Sequence, residues 1–172
     1  MSYPRYVQPV LDKYCNSCHG GNGEARKTLD LTLRPGLPQV AEPYMTLIGR
    51  PTWGAPYQRP ANPPPGFGIA GMIMVDGFGT TDPAAYLTPP PMTYLSYRSR
   101  LIEMCSNGKH YDVKVDPLSL QRLIAWVDAM CPYQGDDEIR TEEDPVFQGV
   151  DWLSIRPKVK NAPRIIRPGP VD

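Results

Sequence analysis

The sequence predicts a mainly α-helical, loop-rich domain, and three observations lead to that prediction. Three segments of the chain place apolar residues at helical spacing. Proline and glycine contribute 22 and 15 of the 172 residues, so long irregular connections are expected between the helices. A Cys-x-x-Cys-His motif follows directly on the first of the three segments.

The first two helical segments lie on either side of a long stretch without periodicity. Residues 2–14 form an amphipathic pattern that contains Pro9, so this helix begins near the proline or kinks there. Residues 97–107 form the second pattern, which Gly108 ends. Between them, residues 20–92 show no strong periodicity, and a loop of this length is usually functional, disordered or organised by a bound group.

Two more helices and a C-terminal arm complete the predicted fold. The third amphipathic helix begins after Asp116, a good N-cap residue, with Pro117 at its first position. A short helix is expected around residues 43–48. Residues 136–172 begin with an acidic stretch and continue rich in proline, arginine and lysine. We predict that they form an extended arm on a domain spanning residues 1–135, with a partly disordered tail as the alternative.

Charge and hydropathy exclude two classes of partner. The 18 basic and 18 acidic residues balance, which argues against nucleic acid or an anionic membrane as the main partner. No apolar run approaches the roughly 18 residues of a membrane span. We therefore expect neither nucleic acid nor an anionic membrane as the main partner, and no membrane span.

The Cys-x-x-Cys-His motif joins Cys15, Cys18 and His19. Two thiols at this spacing add to the two vinyl groups of one haem, and the adjacent histidine binds the iron from the same side. A zinc site would need a second ligand pair, and Cys105 and Cys131 are not arranged as one. A thioredoxin-like motif would follow a strand, whereas this motif ends a helix. The motif thus predicts one covalent haem c inside a small cytochrome-c-like helical domain.

The expected compartment follows from the expected haem. Because haem c is attached outside the cytoplasm, we expect a periplasmic or otherwise exported protein. The first 14 residues lack the apolar stretch of a secretory signal, so a signal was removed or the chain is a piece of a longer exported protein. Two spare cysteines in such a chain, Cys105 and Cys131, are expected to form a disulfide. Two buried thiols are the alternative, because the C-terminal ends of hairpin helices lie beyond the disulfide limit of about 7 Å between Cα atoms.

The second axial ligand of the iron has candidates of two kinds. His110, the other histidine of the chain, lies in the loop between the last two helices. Met72, Met74 and Met92 lie in the long middle loop, and Met92 follows three prolines that would stiffen its approach. Composition alone leaves histidine and methionine open.

Four further side chains are candidate haem contacts. Tyr111 and Trp126 are close to His110 in sequence and could pack on the porphyrin, although plain helix core is the alternative for Trp126. Arg98 could pair with a haem propionate, as could Arg100, and ordinary surface charge is the alternative for both.

Four stretches resemble the C-terminal cytochrome domain of hydrazine synthase alpha-subunit-like proteins from planctomycetes. They are residues 7–19, 95–101, 110–114 and 123–128, within a patchy likeness over roughly residues 6–135. The segment His110-Tyr-Asp-Val-Lys is the more specific signal, since the haem motif is common to all c-type cytochromes.

The resemblance implies His19 and His110 as axial ligands and an electron-relay domain. It also implies the anammoxosome lumen as the compartment if the source is an anammox bacterium. Full-length members of that family carry upstream domains, including one with a catalytic haem, and this chain does not contain them. Hydrazine chemistry is therefore not part of the expectation.

The predicted function is electron transfer by one haem, in a relay domain or subunit that works with a redox partner protein or a larger cytochrome complex. No catalytic residue is predicted. One alternative is a five-coordinate haem enzyme or ligand sensor, in which His110 is a distal acid–base group. Another is a mainly structural subunit of a cytochrome assembly, docked by its arm.

Overall fold

The computed structural model describes residues 1–36, 40–49, 61–73, 87–88 and 90–135. The chain divides into two units, Met1–Gly135 and Asp136–Asp172, and all described residues belong to the first. The predicted arm and Met74 lie outside the described residues.

The described residues form five α-helices and no strand, which confirms the predicted mainly helical class for this part of the chain. None of these helices is long and apolar enough to cross a membrane. The described residues also form three single turns of other helix types, Tyr3–Val7 before the first α-helix and Glu24–Lys27 and Leu95–Tyr97 between later ones. The α-helices are α1 (Gln8–Tyr14), α2 (Asn16–His19), α3 (Glu42–Ile48), α4 (Arg100–Ser106) and α5 (Pro117–Asp128).

The predicted N-terminal helix, residues 2–14, is divided into two pieces. A π-helical turn, Tyr3–Val7, leads into α1, and Pro9 lies in the first turn of α1. Proline is tolerated there because the first turn of a helix has no partner for its backbone N–H groups. The second piece ends before Cys15, and α2 then carries the rest of the cysteine motif.

Side-chain caps set the starts of the last two helices. The Ser99 hydroxyl accepts a hydrogen bond from the backbone N–H of Ile102 at 3.3 Å, so α4 begins at Arg100 and not at residue 97. The Asp116 carboxylate accepts hydrogen bonds from the first turn of α5, as its N-cap role predicts. Residue 97, where the helical pattern was predicted to begin, is the last residue of a separate 3₁₀ turn, Leu95–Tyr97.

Aromatic rings fill the centre of the core. Trp126 is completely buried, with its ring centroid 5.6 Å from that of Tyr3 and 6.3 Å from that of Tyr44. Its indole N–H donates to the carbonyl of Pro132 at 3.0 Å, so no polar atom of the ring is left without a partner. Trp126 is therefore part of the helix core, which was the alternative to packing on a porphyrin.

The predicted disulfide between Cys105 and Cys131 is wrong, because both cysteines are free thiols. Cys105 lies in the last turn of α4, where its carbonyl accepts from the Val115 N–H at 3.0 Å. Cys131 follows the end of α5, where its carbonyl accepts from the Tyr44 hydroxyl at 3.0 Å. Both side chains are buried in the hydrophobic core. Burial raises the pKa of each thiol to about 12, so both are uncharged at neutral pH.

Candidate functional site

The cysteine motif forms a helical turn of its own. The backbone N–H groups of Cys18 and His19 both donate to the Cys15 carbonyl, at 3.1 and 2.9 Å. Residues three and four apart on a helix share a face, so both thiols and the imidazole lie on one side of this turn. The Cys18 side chain is exposed and that of Cys15 is half-buried. The turn can therefore present two thiols and one imidazole to the same ligand.

Gly23 holds the exit of the motif against the motif itself. A Cβ atom at this position would overlap the backbone carbonyl of Cys18, and a backbone atom cannot move aside as a flexible side chain can. The Gly23 N–H also donates to the Gly20 carbonyl at 2.8 Å. The chain after His19 is thereby folded tightly back along the turn that carries the thiols.

The His19 imidazole is fixed by the backbone of a following loop. Its Nδ1 lies 2.9 Å from the Leu29 carbonyl oxygen. Because a carbonyl oxygen can only accept, Nδ1 carries the proton and donates it, and the lone pair is on Nε2. Metal-binding histidines are commonly oriented in this way, with the second ring nitrogen donating to a carbonyl. His19 therefore has the tautomer and support of an iron ligand.

The ring of His110 lies opposite that of His19. The two ring centroids are 6.1 Å apart and the ring planes are 13° from parallel. Since a metal–imidazole nitrogen bond is about 2.0–2.1 Å, two imidazoles that bind one metal ion from opposite sides have centroids roughly 6 Å apart. A direct aromatic pair is the other arrangement compatible with this spacing. The two thiols beside His19 favour an iron between the rings.

A tight turn sets the position of His110. Tyr111 and Asp112 both have left-handed backbones, with φ of 48° and 58°, which is unusual for residues other than glycine. They reverse the chain directly after His110, and the Val113 N–H then donates to the His110 carbonyl at 3.0 Å. The histidine is thus held in a closed turn between α4 and α5.

One side-chain hydrogen bond ties the supports of the two histidines together. The Tyr14 hydroxyl donates to Asp116 at 2.6 Å, across 102 residues of sequence. Tyr14 directly precedes Cys15, and Asp116 caps the helix that follows the His110 turn. The hydrogen bonds from Ser119 and Tyr14 hold the pKa of Asp116 well below its usual range. This contact therefore ties the segment that carries Cys15 to the segment that carries His110, and it is strongest while Asp116 is ionised.

We expect the Asp116→Asn variant to unfold at a lower temperature than the wild type at pH 7, and by a smaller margin at pH 3. The lowered pKa of Asp116 means that its charge stabilises the fold above the unfolded value of about 3.9 and loses this effect as the pH falls through the folded value. Asparagine still caps a helix, so the variant removes the charge and keeps the cap. Asp112→Asn, on the exposed turn before α5, is the control. A difference that stays constant between pH 7 and pH 3 would contradict the prediction.

The other predicted site residues are placed as follows. Tyr111 is 88% exposed and its ring lies edge-on to that of His110, at 5.3 Å and 84°. Arg98 is exposed after a 3₁₀ turn, and its pairing with a propionate stays a prediction. Met92 is 67% exposed, and Met72 packs against the buried core. Of these candidates, His110 is the one whose ring is shown close to and parallel with that of His19.

Sequence reasoning missed two parts of the support around His19. One is the Leu29 carbonyl, which every residue type would offer and which therefore leaves no signal in the sequence. The other is Asp30, whose carboxylate pairs with Arg26 and Arg34. The three residues recur every four positions, but this segment is not an α-helix, so helical spacing would not have predicted the cluster.

Among the described residues, no group of three or more histidine, cysteine, aspartate or glutamate side chains is arranged to hold a metal ion. An iron ion held by His19 and His110 would need further ligands from a macrocycle, such as a porphyrin. Comparison of the chain with protein-family models, with curated proteins and with solved structures finds no match. The resemblance to the cytochrome domain of hydrazine synthase alpha-subunit-like proteins thus stays a prediction, and the case for a function rests on the site itself.

Proposed function

We propose that this chain is a monohaem c-type cytochrome domain that relays electrons to or from a partner protein. The observation that carries the proposal is the pair of near-parallel rings, His19 and His110, 6.1 Å apart beside two thiols on one helical turn. The free lone pair on Nε2 of His19 and the closed turn that carries His110 support it further.

The residues fit the group they would hold. Cys15 and Cys18 would add their S–H bonds across the two vinyl groups, which leaves two thioether links and no by-product. His19 and His110 would bind the iron from opposite faces. When bound, the haem supplies a one-electron couple between ferric and ferrous iron, with a lower potential for two imidazoles than for imidazole and thioether.

Two axial imidazoles favour electron transfer over substrate chemistry. A ligand on each side of the iron leaves no open position, so a substrate or a sensed gas would first have to displace His110. The chemistry of the site therefore supports a relay more than a five-coordinate enzyme or sensor, in which His110 would act as an acid or base. A covalently held haem also implies an exported protein, and a single haem implies a partner protein at each step of a longer electron path.

Optical and electron paramagnetic resonance spectra of the purified protein test this function. We expect a low-spin, six-coordinate iron in both oxidation states, because both axial positions are filled by imidazole. Reduction and reoxidation should be reversible. A high-spin ferric spectrum would contradict the proposal in favour of a five-coordinate site. A near-infrared sulfur-to-iron band would show a methionine ligand in place of His110.

A further inference from the structure

We propose that Asp30 is a positioning residue for His19, because its carboxylate fixes the loop whose backbone orients the His19 imidazole. This inference rests on the proposed function, since it concerns how strongly His19 donates electrons to the iron. Asp30 acts in this proposal through the backbone of its neighbours, and its own side chain is bound to Arg26, Arg34 and Thr32.

The backbone on both sides of Asp30 contacts His19. The Leu29 carbonyl accepts the Nδ1–H of the imidazole at 2.9 Å. The Leu31 N–H donates to the His19 carbonyl at 2.9 Å. Asp30 is thus the central residue of a three-residue segment that holds the side chain and the main chain of His19 together.

The Asp30 carboxylate is almost fully used by its neighbours. One oxygen, Oδ2, lies 3.0 Å from Arg26 Nε and 3.0 Å from Arg34 Nη1. The other, Oδ1, accepts from the Thr32 N–H at 3.0 Å and from the Thr32 hydroxyl. Only 15% of the Asp30 side chain is exposed, so these charge-assisted contacts are less screened than those of an ordinary surface pair.

Both arginines are anchored at their other ends. Arg26 Nη1 donates to the Gly21 carbonyl at 2.8 Å, at the exit of the cysteine motif. Arg34 Nε donates to Glu42 at 2.6 Å, in the first turn of α3. Asp30 therefore links the motif exit to α3, and the loop between them cannot shift without breaking charged contacts.

A firmly held Leu29 carbonyl makes His19 a stronger donor. A hydrogen bond from Nδ1–H to a carbonyl gives the imidazole more anionic character, which strengthens its bond to the metal. Stronger donation favours the ferric form and lowers the reduction potential. If Asp30 maintains this hydrogen bond, replacing Asp30 should both loosen the loop and raise the reduction potential of the haem.

The test compares Asp30→Asn with the matched control Glu24→Gln in the intact holoprotein. Both substitutions replace one carboxylate of the same loop by an amide, but Glu24 is 94% exposed and pairs with Lys27 at 3.6 Å. Two quantities are measured in each: the hydrogen-exchange rate of the Leu31 amide in the reduced protein, and the midpoint potential. We expect Asp30→Asn to speed exchange at Leu31 about tenfold, the effect of losing roughly one charge-assisted hydrogen bond. It should raise the potential more than Glu24→Gln, which measures the loss of charge alone.

The outcomes separate this inference from the proposed function. The role of Asp30 would be overturned if Asp30→Asn had the same Leu31 exchange rate and the same midpoint potential as Glu24→Gln. A wild-type protein without covalent haem would instead overturn the proposed function, while the Leu31 exchange rate would still decide whether Asp30 holds the loop. If Asp30→Asn does not fold, Arg26→Gln removes one of the two arginine contacts and should shift both quantities in the same direction. No shift in Arg26→Gln would count against the inference.

Discussion

The His110→Ala variant is expected to bind carbon monoxide readily, whereas the wild type should bind it poorly. Carbon monoxide needs an open position on ferrous iron, and in the proposed site His110 fills it. If the form with His110 dissociated is on the order of 1% populated, removing the ring should speed association about a hundredfold. The measurement is stopped-flow mixing of the reduced protein with carbon monoxide, followed by its optical spectrum.

Met92→Ala is the matched control, since Met92 is the rival ligand and its side chain is 67% exposed. This variant should bind carbon monoxide as slowly as the wild type. Fast binding by the wild type would remove His110 from the iron and favour the enzyme or sensor alternative. Fast binding by Met92→Ala alone would make Met92 the ligand and keep the relay function at a higher potential.

The double variant Cys15→Ala/Cys18→Ala is expected to lose all covalent haem. Both thiols lie on the same helical turn as His19, and they are the described cysteines outside the core. The intact mass of the denatured wild type should exceed that of the chain by one haem, and that of the variant should not. Extraction of all haem from the wild type by acid and acetone would contradict thioether attachment.

Thiol labelling in the same experiment provides the control. Alkylation of the denatured, unreduced wild type should add two labels, at Cys105 and Cys131, because both are free thiols. The single variant Cys131→Ala should keep its covalent haem and take one label. A wild type that takes no label would show that Cys105 and Cys131 form a disulfide, and would contradict the free thiols of the structure.

Local interactions could be predicted from the sequence. The start of α5 follows from Asp116 and Pro117, since the cap and the first turn are adjacent in the chain. The motif turn follows from the spacing of its own five residues. The short helix α3 was also expected within a residue of its true start, Glu42. The division of the first helix was missed in part, because a single proline leaves open whether a helix starts or bends.

Pairing between distant segments was decided by the tertiary structure. The two spare cysteines led to the prediction of a disulfide, but both are buried in the core as free thiols. The sequence left Trp126 either in the helix core or on a porphyrin. In the structure its neighbouring rings, Tyr3 and Tyr44, come from other elements. No local pattern contains such distances, since they depend on how the helices pack.

In the candidate site, too, local features followed from the sequence and contacts between distant segments did not. The sequence by itself determined that Cys15, Cys18 and His19 share one face, and it narrowed the predicted second axial ligand to His110 or a methionine. His19 and His110 are 91 residues apart in sequence, and only the tertiary structure places their rings near each other. It alone also shows the Leu29 carbonyl on His19, because a backbone acceptor carries no side-chain identity and its position is set by packing and by the charges around Asp30.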